Sequence, residues 1–337
     1  MLLDLIFRLL SYVLILNFTL IPPFFQPLTL ERVFSEERPV LPSGSGEFVT
    51  LMVTGDILPG RSVQLKYTQN GDPNYAFSET AEILRSAEIV WANLEGPLVE
   101  GCPVFYTGFT FCGDPELVKG LSYAGINVVN IANNHIYNFG GEGRAETIQI
   151  LKGAGIGISG EEQVHYREEG GTRFAFLGFD VVGKYADRAA ISSALQKARA
   201  NSDVVLAQFH WGQEYTYSPR AAGEDPISLG RFAVEAGADL VIGNHPHWVQ
   251  GIEFYRGKPI VYSHGNFVFD QMWSQETREG MVGKYVFYRG RLVDIEFLPV
   301  LIDSPFVPRF LSGAAKLRML GIIEEASRLL QRLAVLK

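Results

Sequence analysis

The stretch Asp239-Leu240-Val241-Ile242-Gly243-Asn244-His245-Pro246-His247 joins a short apolar run to a polar ending. The apolar part predicts a buried strand, and the strand ends before Pro246 because proline cannot donate a hydrogen bond to a strand ladder. His245 and His247 therefore turn into the loop that follows. Two histidines in such a loop are either solvated side chains or ligands of a bound group. Their own sequence does not distinguish these alternatives, so the other strand ends of the chain have to be considered.

The same arrangement recurs along the chain. Predicted strands at 48–53, 88–92, 127–132 and 203–208 are followed by polar side chains, namely Asp56; Asn93 and Glu95; Asn134 and His135; and His210. Helix-length amphipathic segments separate several of these strands, which is typical of an α/β protein. Ligands of open α/β sheets bind beyond the carboxyl ends of strands, where loops converge. We therefore expect these side chains to share one cleft.

Composition is typical of a chain with a large folded domain. The 337 residues are 47% hydrophobic and 20% charged, which favours a sizeable core over disorder. The net charge of −8 and the lack of a Lys/Arg run argue against a nucleic-acid partner, whose phosphates require a basic surface. An anionic polymer would have to be met by a local basic patch or by metal.

The two ends of the chain differ from its centre. Residues 1–25 are almost wholly apolar and predict an uncleaved membrane anchor, with an apolar helix packed on the domain as the alternative. Residues 26–47 predict a tether, residues 48–305 the main domain, and residues 306–337 a helical segment. A helix at 314–333 carries an apolar stripe that either docks a partner or packs on its own domain: Leu317, Leu320, Ile323, Leu329, Leu330 and Leu333.

The cysteines leave two possibilities open. Cys102 and Cys112 are too few for a disulfide scaffold and lack the spacing of metal ligands. They are either two buried thiols or one disulfide that closes a loop, which a location outside the cytoplasm would permit.

The candidate ligands are carboxylates, amides and imidazoles without cysteine. Such a mixed set predicts one or two divalent ions, Mn, Zn, Fe or Mg, without selecting among them. Taken alone, Asp56 could be a turn residue and His210 a core histidine beside Trp211. Glu95 argues for the ligand interpretation, because a carboxylate just after a buried strand is costly unless it is paired or coordinated.

Two further residues are candidates for catalysis. His135 follows the candidate ligand Asn134 and could donate a proton to a leaving group near neutral pH. Arg61 follows Asp56 in the next loop and either stabilises an anionic oxygen or lies on a solvated loop.

These residues occur in motifs that resemble a known family. The motifs are Thr54-Gly55-Asp56-Ile57-Leu58-Pro59-Gly60-Arg61, Ala92-Asn93-Leu94-Glu95-Gly96-Pro97-Leu98, Ala132-Asn133-Asn134-His135, His210-Trp211-Gly212-Gln213-Glu214-Tyr215, Gly243-Asn244-His245-Pro246-His247 and Ser263-His264-Gly265-Asn266-Phe267-Val268-Phe269-Asp270-Gln271. In order and spacing they resemble the CapA family of poly-γ-glutamate capsule biosynthesis proteins, within the calcineurin-like metallophosphoesterase superfamily. The resemblance covers residues 48–305.

The resemblance implies a four-layer α/β/β/α sandwich with a metal site at one edge of its sheets. By analogy, one metal would be held by Asn134, His210 and His245, and the other by Asp56 and His247, with Glu95 bridging the two. It also implies a cell-membrane location, with the anchored domain on the extracytoplasmic side. Residues that would support the ligands or touch substrate are Asn93, Asn138, Glu214, His264 and Asn266.

The chain departs from the pattern at three places. The superfamily usually has Asp-x-His where Asp56-Ile57-Leu58 stands, so the metal position of Asp56 and His247 lacks the imidazole that this motif usually supplies, a feature that the CapA family shares. Asn138 replaces a common Asp and His264 a common Leu, and the loss of a supporting carboxylate can weaken the orientation of a ligand histidine. His264 could add a ligand or fill space.

The function expected from the sequence is that of a membrane-anchored, metal-dependent, phosphoesterase-like hydrolase linked to poly-γ-glutamate synthesis or export. Its substrate would be a phosphate ester or an anionic polymer, and hydrolysis of the amide bonds of a polyglutamate is a second enzymatic possibility. The alternative is a non-catalytic scaffold or polymer-binding subunit that assembles with the subunits of a membrane polyglutamate synthase.

Overall fold

Two β-sheets form the centre of the computed structural model, which describes residues 26–35, 46–104, 107–303 and 305–335. The strands are β1 (Phe48–Ile57), β2 (Ile89–Leu94), β3 (Val128–Asn130), β4 (Gly157–Ser159), β5 (His165–Glu169), β6 (Thr172–Asp180), β7 (Val204–His210), β8 (Leu240–Asn244), β9 (Ile252–Tyr255), β10 (Lys258–Val261), β11 (Asn266–Val268), β12 (Glu279–Tyr288), β13 (Arg291–Asp303) and β14 (Val307–Phe310). The α-helices are Leu30–Val33, Arg61–Asn70, Ala81–Leu84, Leu117–Tyr123, Gly140–Gly153, Arg188–Arg199, Pro226–Glu235, Gln275–Arg278 and Gly313–Val335.

The order of strands brings the polar strand ends together. The first sheet runs β14-β13-β12-β1-β2-β3-β4 with β11 beside β1, and the second runs β5-β6-β7-β8-β10-β9. Strands β1 to β4 are mutually parallel, as are β6, β7, β8 and β10. In register, Asp56 lies opposite Asn93, and His210 lies opposite Asn244. Each sheet therefore presents its polar residues at one edge.

Three apolar interfaces separate four layers. Alternate residues of β1 face opposite ways, so Leu51 packs between the sheets while Met52 packs beneath the helices outside the first sheet. Between the sheets, Trp91 meets Phe176 edge to face with ring centroids 5.2 Å apart. Outside the second sheet, helices Arg188–Arg199 and Pro226–Glu235 cover a third cluster. The expected four-layer α/β/β/α sandwich is confirmed.

The end of β1 shows why this edge of the sheet needs glycine. A Cβ at Gly55 would lie 2.1 Å from the backbone oxygen of Gly265. The neighbouring Asp56 N–H donates to that same oxygen at 2.9 Å. The close approach of the two backbones shifts the register between Val53 and Asp56, and it carries β1 past residue 53, where the sequence predicted its end.

Residues 75–86, one of the helix-length segments that the sequence predicts between strands, instead form two short elements. A 3₁₀ turn covers Tyr75–Phe77 and a separate helix covers Ala81–Leu84. The hydroxyls of Ser78 and Thr80 bind the backbone oxygens of Tyr75 and Phe77, and such bonds compete with a continuous helix.

The terminal segments pack on the domain wherever they are described. Residues 26–35 fall within the predicted tether, yet Leu30 and Val33 are buried between the sheets, because this short segment is apolar on one face. Helix Gly313–Val335 buries Ile323 and Leu330, whereas Leu317 and Leu329 are exposed. The predicted anchor, residues 36–45 and the side chain of Leu333 lie outside the described residues. Nowhere in the described ranges is a helix long and apolar enough to span a membrane.

Candidate metal centre

The carboxylate of Asp56 is held in place in the cleft by hydrogen bonds from both sheets. Its side chain is fully buried at the end of β1, and its Oδ1 accepts hydrogen bonds from Nδ2 of Asn93 at 2.8 Å and from Nδ2 of Asn244 at 2.7 Å. Its Oδ2 accepts from the backbone N–H of His245 at 3.3 Å. These donors come from both sheets, so the carboxylate joins the two polar edges.

Glu95 is a buried carboxylate whose two oxygens have no hydrogen-bond partner within the described part of the chain. Its Oε1 lies 3.8 Å from Nε2 of His247 and 4.0 Å from Nε2 of His135. Burial, followed by the negative charge of Asp56, raises the pKa of Glu95 well above its usual value. Imidazoles surround this buried carboxylate but make no direct hydrogen bond to it. This is the environment expected of a carboxylate that binds a metal ion.

His247 directs its Nε2 towards Glu95, because a hydrogen bond at Nδ1 fixes the orientation of the ring. Asn266 donates through Nδ2 to Gln271 at 3.1 Å and to the backbone oxygen of Thr277 at 2.9 Å, so its Oδ1 must face His247. That oxygen lies 2.9 Å from Nδ1 of His247, which therefore carries the proton. Metal-binding histidines commonly donate their second nitrogen in this way. Nε2 is left to face the cleft.

The charge around His247 favours a cation. Burial by itself lowers the pKa of this imidazole, but Glu95, Asp56 and Glu214 outweigh burial and raise the pKa to about 9. The backbone is also held in the left-handed region at His245 (φ 94°) and His247 (φ 58°). Non-glycine residues adopt that region at a cost, and such strain tends to cluster at functional sites.

His210 and His245 form a second part of the same cleft. Their ring centroids are 4.9 Å apart, and among the described residues neither nitrogen of His210 has a hydrogen-bond partner, nor does Nδ1 of His245. Burial lowers the pKa of His210 well below its usual value and that of His245 to about 3. Both imidazoles are therefore neutral at neutral pH, which is the form that binds metal.

Two groups of side chains have the spacing of a shared ion. One comprises Asp56, Glu95 and His247, and the other comprises Glu214, His245 and His247; in each group the candidate ligand atoms lie within 4.8 Å of one another. Carboxylate and imidazole together suit a divalent ion. The buried atoms of Glu95 and His210 that lack partners fit the same interpretation, since buried polar groups are nearly always satisfied. The residues present therefore fit a divalent metal.

His135 is held at the edge of this centre. Its Nδ1 lies 3.0 Å from Oδ1 of Asn138, which also accepts from the backbone N–H of Phe111 at 2.7 Å. Its Nε2 is 3.2 Å from Nδ2 of Asn134. Burial lowers the pKa of His135 to about 4, although the bond to Asn138 opposes this shift. Asn134, a predicted metal ligand, has an exposed side chain and lies beside His135.

Arg61 lies beside the centre but is tied to another carboxylate. It forms an ion pair with Asp270, donates to the backbone oxygen of Gly108 at 2.9 Å and stacks over the ring of Phe111, 4.6 Å from its centroid. Phe111 in turn stacks on His135 with ring centroids 3.9 Å apart. Arg61 is therefore a largely buried, positioned cation rather than a solvated one.

The residues predicted to support the ligands divide into two groups. Asn93, Asn138 and Asn266 contact Asp56, His135 and His247 respectively, while Glu214 lies within ligand distance. His264 differs, because its Nε2 lies 3.0 Å from the hydroxyl of Tyr285, and it belongs to neither ligand group within the described ranges. It fills a buried space between strands.

Three residues that shape the site were not among the candidates predicted from the sequence. Asn244 binds Asp56, Asp270 binds Arg61, and Phe111 stacks on His135. Asn244 stands at a strand end and could have been found by the rule that found the others. Asp270 and Phe111 reach the site through loops, and a loop phenylalanine carries no local signal of such a contact.

The two cysteines resolve in favour of a disulfide. Cys102 and Cys112 are bonded, with Cα atoms 6.0 Å apart. The loop that they close carries Gly108 and Phe111, the residues that contact Arg61 and His135. The disulfide therefore constrains one wall of the cleft.

Comparison with known proteins agrees with these motifs. The family described as "Bacterial capsule synthesis protein PGA_cap" matches residues 50–271. The capsule biosynthesis protein CapA of Bacillus anthracis is 31% identical over 288 residues, which cover 77% of this chain and 69% of that protein. The PGA biosynthesis protein CapA of Bacillus subtilis (strain 168) is 31% identical over 291 residues, which cover 80% of this chain and 75% of that protein.

A solved structure shares the fold. The crystal structure of a hypothetical protein from Thermus thermophilus aligns with a TM-score of 0.50 and 14% identity, covering 74% of this chain and 98% of that one. This likeness concerns the fold alone. The family match spans most of the chain and includes the strand-end motifs of the cleft. The chain therefore belongs to the bacterial capsule synthesis protein family PGA_cap, as its resemblance to CapA proteins indicated.

Proposed function

We propose that this protein is a metal-dependent, phosphoesterase-like hydrolase that acts in the synthesis or export of poly-γ-glutamate. The observation that carries the proposal is Glu95, a fully buried carboxylate without a hydrogen-bond partner among the described residues, facing Nε2 of both His135 and His247. Such a carboxylate is costly for folding alone, so its presence is best explained by a bound cation. The family membership provides the biological context.

Residues from both sheets would hold the ion or ions. Asp56, Glu95 and His247 form one group, and His210 and His245 supply further donors. Asn134, which lies beside His135, would be another. When bound, a divalent ion would polarise a phosphoryl oxygen and lower the pKa of a water molecule. The protein's own contribution is to fix the donors, as Asn93 and Asn244 do for Asp56.

His135 is the residue placed to move a proton. It holds one proton at Nδ1 against Asn138 and directs Nε2 into the cleft. Its pKa of about 4, set by burial, keeps Nε2 unprotonated at neutral pH, so it can accept a proton from a water or hydroxyl group. It becomes a proton donor only once a bound phosphate anion has raised that pKa.

We also propose an extracytoplasmic domain with an N-terminal membrane anchor. The disulfide between Cys102 and Cys112 supports this location, since disulfides persist in oxidising compartments and are rare in the cytosol. The names of the Bacillus relatives refer to capsule and PGA biosynthesis, which supports a partnership with the membrane subunits of a polyglutamate synthase. The substrate would be a phosphate ester or the anionic polymer itself.

The test combines metal content with turnover. The full-length chain is purified, reconstituted with Mn²⁺ or Zn²⁺, and assayed against phosphomonoesters, phosphodiesters and γ-glutamyl peptides. We expect bound metal and phosphoester turnover in the wild type, with turnover reduced by at least about a hundredfold in His247→Ala. His165→Ala is the matched control, because His165 lies on β5 and takes no part in either ligand group.

The outcomes separate the alternatives. Turnover of the γ-glutamyl peptides alone would replace the phosphoesterase proposal with amide hydrolysis. A protein that binds no metal and turns over neither substrate would contradict both enzymatic proposals. If His247→Ala then supported capsule formation as well as the wild type, the non-catalytic scaffold would be the remaining function.

A further inference from the structure

Glu214, which the sequence placed among the residues that support the ligands or touch substrate, lies among the candidate ligands themselves. It lies in the loop after β7, four residues beyond His210. Its Oε1 lies 3.9 Å from Nε2 of His245 and 3.9 Å from Nε2 of His247. Among the described residues, the ion pairs of Glu214 are made with these two imidazoles. The carboxylate therefore faces the cleft rather than a surface cation.

The loop that carries Glu214 is fastened to the histidine loop. The backbone N–H of Tyr215 donates to the backbone oxygen of Pro246 at 2.9 Å, directly between the two histidines. The ring of Tyr215 stacks on His247 with centroids 5.9 Å apart, and its hydroxyl accepts from Gln271 at 3.2 Å. Tyr215 is held in the left-handed region at φ 60°. Glu214 is thus positioned by its neighbour.

Nε2 of His247 relates Glu214 to the rest of the centre. This one atom lies 3.8 Å from Oε1 of Glu95 and 3.9 Å from Oε1 of Glu214. An imidazole nitrogen binds one ion, so an ion at Nε2 of His247 would have both carboxylates beside it. Donors about 2.1 Å from one ion lie roughly 3 to 3.5 Å apart, so the observed spacing needs only a small contraction. Glu95 itself has no hydrogen-bond partner in the described ranges and is fully buried.

We propose that Glu214 is a direct ligand of the divalent ion at His247, and that this position, rich in carboxylates, prefers Mn²⁺ or Mg²⁺ to Zn²⁺. Asp56, Glu95 and Glu214 supply carboxylate oxygens and His247 supplies one imidazole. His245, which lies as close to Glu214 as His247 does, pairs on its other side with the imidazole of His210. Carboxylate oxygens suit Mg²⁺ and Mn²⁺, and imidazole suits Zn²⁺. The two parts of the cleft therefore differ in the metal that they select. This inference rests on the proposed metal centre.

The experiment measures metal binding directly, without turnover. The full-length wild type and Glu214→Gln are titrated with Mn²⁺ and with Zn²⁺, using electron paramagnetic resonance of free Mn²⁺ and elemental analysis after dialysis. Glutamine keeps the size of the side chain and removes its charge. Glu169→Gln is the matched control, because Glu169 lies in the second sheet with a similarly half-buried side chain paired to Arg167.

We expect Glu214→Gln to weaken Mn²⁺ binding by at least about tenfold while Zn²⁺ binding at the imidazole pair persists, with Glu169→Gln unchanged. Glu214→His should restore binding at the His247 position but shift its preference towards Zn²⁺, which a merely structural role would not produce. Circular dichroism checks that each variant is folded. Wild-type Mn²⁺ affinity in Glu214→Gln would overturn this inference alone. A wild type that binds neither ion would overturn the proposed function as well.

Discussion

Nδ1 of His247 lies 2.9 Å from Oδ1 of Asn266, and this contact decides which nitrogen His247 offers to the cleft. The side-chain amide of Asn266 cannot flip, because its Nδ2 already donates to Gln271 and to the backbone oxygen of Thr277. The tautomer of a proposed ligand is therefore set by Asn266, a residue outside the proposed ligand set.

Replacing Asn266 with alanine should weaken metal binding without removing a ligand. Loss of the acceptor frees the ring of His247, and such changes typically reduce metal affinity by about ten- to a hundredfold. Calorimetric titration with Mn²⁺ measures the effect. Asn127→Ala is the control, since Asn127 binds backbone groups of Val90 and Glu88 before β3, and it should lower stability but keep the affinity. Equal affinities in wild type and Asn266→Ala would refute the orienting role.

Replacing Glu95 with glutamine should stabilise the metal-free protein while it abolishes metal binding. Among the described residues the Glu95 carboxylate has no hydrogen-bond partner, although Nε2 of His247 lies 3.8 Å away. Burial of such a carboxylate costs several kcal/mol, so its neutralisation should raise the free energy of unfolding by about 1 to 3 kcal/mol in chelator. Urea unfolding measures this. Glu253→Gln is the matched control, because buried Glu253 accepts from Arg231 and Tyr262, and its neutralisation should destabilise the fold. A change of stability in the same direction in Glu95→Gln and Glu253→Gln would contradict this prediction.

His264 should make the stability of the protein depend on pH in acid. Burial lowers the pKa of His264 to about 3, below the value of about 6.5 expected for an unfolded histidine. Between these values the unfolded state binds a proton that the folded state does not, so stability falls as pH decreases through this window. Within this window His264 lowers the free energy of unfolding by about 1.4 kcal/mol for each pH unit of acidification.

The variant His264→Leu should lose this dependence. The slope of unfolding free energy against pH, measured between about pH 6 and pH 4, should decrease by about one proton relative to the wild type. Tyr285→Phe removes the hydroxyl that contacts His264 and should keep the wild-type slope. An unchanged slope in His264→Leu would show that His264 is protonated in the folded state.

The disulfide should stabilise the fold and hold one wall of the cleft. Cys102 and Cys112 are separated by ten positions, and closing a loop of that size contributes about 2 to 3 kcal/mol. The double variant Cys102→Ser/Cys112→Ser should lose about that much stability in chemical unfolding. The loop also carries Phe111, so the nuclear magnetic resonance signal of His135 should broaden or shift. A sharp and unmoved His135 signal would separate the disulfide from the site.

The rule of polar strand ends predicted from the sequence most of the side chains that meet in the candidate site. It worked because parallel strands align their carboxyl ends, so Asp56 meets Asn93 in one sheet and His210 meets Asn244 in the other. Residues far apart in the chain thereby lie together. The rule needs only the approximate end of each strand, which apolar runs supply.

The elements that sequence reasoning missed have weak local signals. Helix Gly140–Gly153 begins with glycines, which are poor helix formers, yet a Cβ at Gly143 would lie 2.6 Å from Cβ of Phe139. The same Cβ would lie 3.3 Å from the side chain of Val99, so glycine at this position fits close packing at the start of the helix rather than helix propensity. Strands β5 and β6 were also not predicted. They form a local hairpin, in which His165 pairs with Phe176 and Glu169 pairs with Thr172.

The details of the site depended on contacts between loops. Glu214 faces His245 and His247 because the backbone of Tyr215 binds that of Pro246, a pairing without any signature in the sequence. The same holds for Arg61, whose partner Asp270 is 209 residues away. Sequence patterns predict which strand ends carry chemistry, whereas the fold decides which atoms meet.

The most direct measurement is anomalous X-ray scattering from crystals of the full-length chain soaked in Mn²⁺. We expect a peak within coordination distance of Glu95 and of Nε2 of His247, with Asp56 and Glu214 beside it. Crystals of fully folded protein that show no anomalous peak between these side chains, at a saturating Mn²⁺ concentration, would contradict the metal centre on which the proposed function depends.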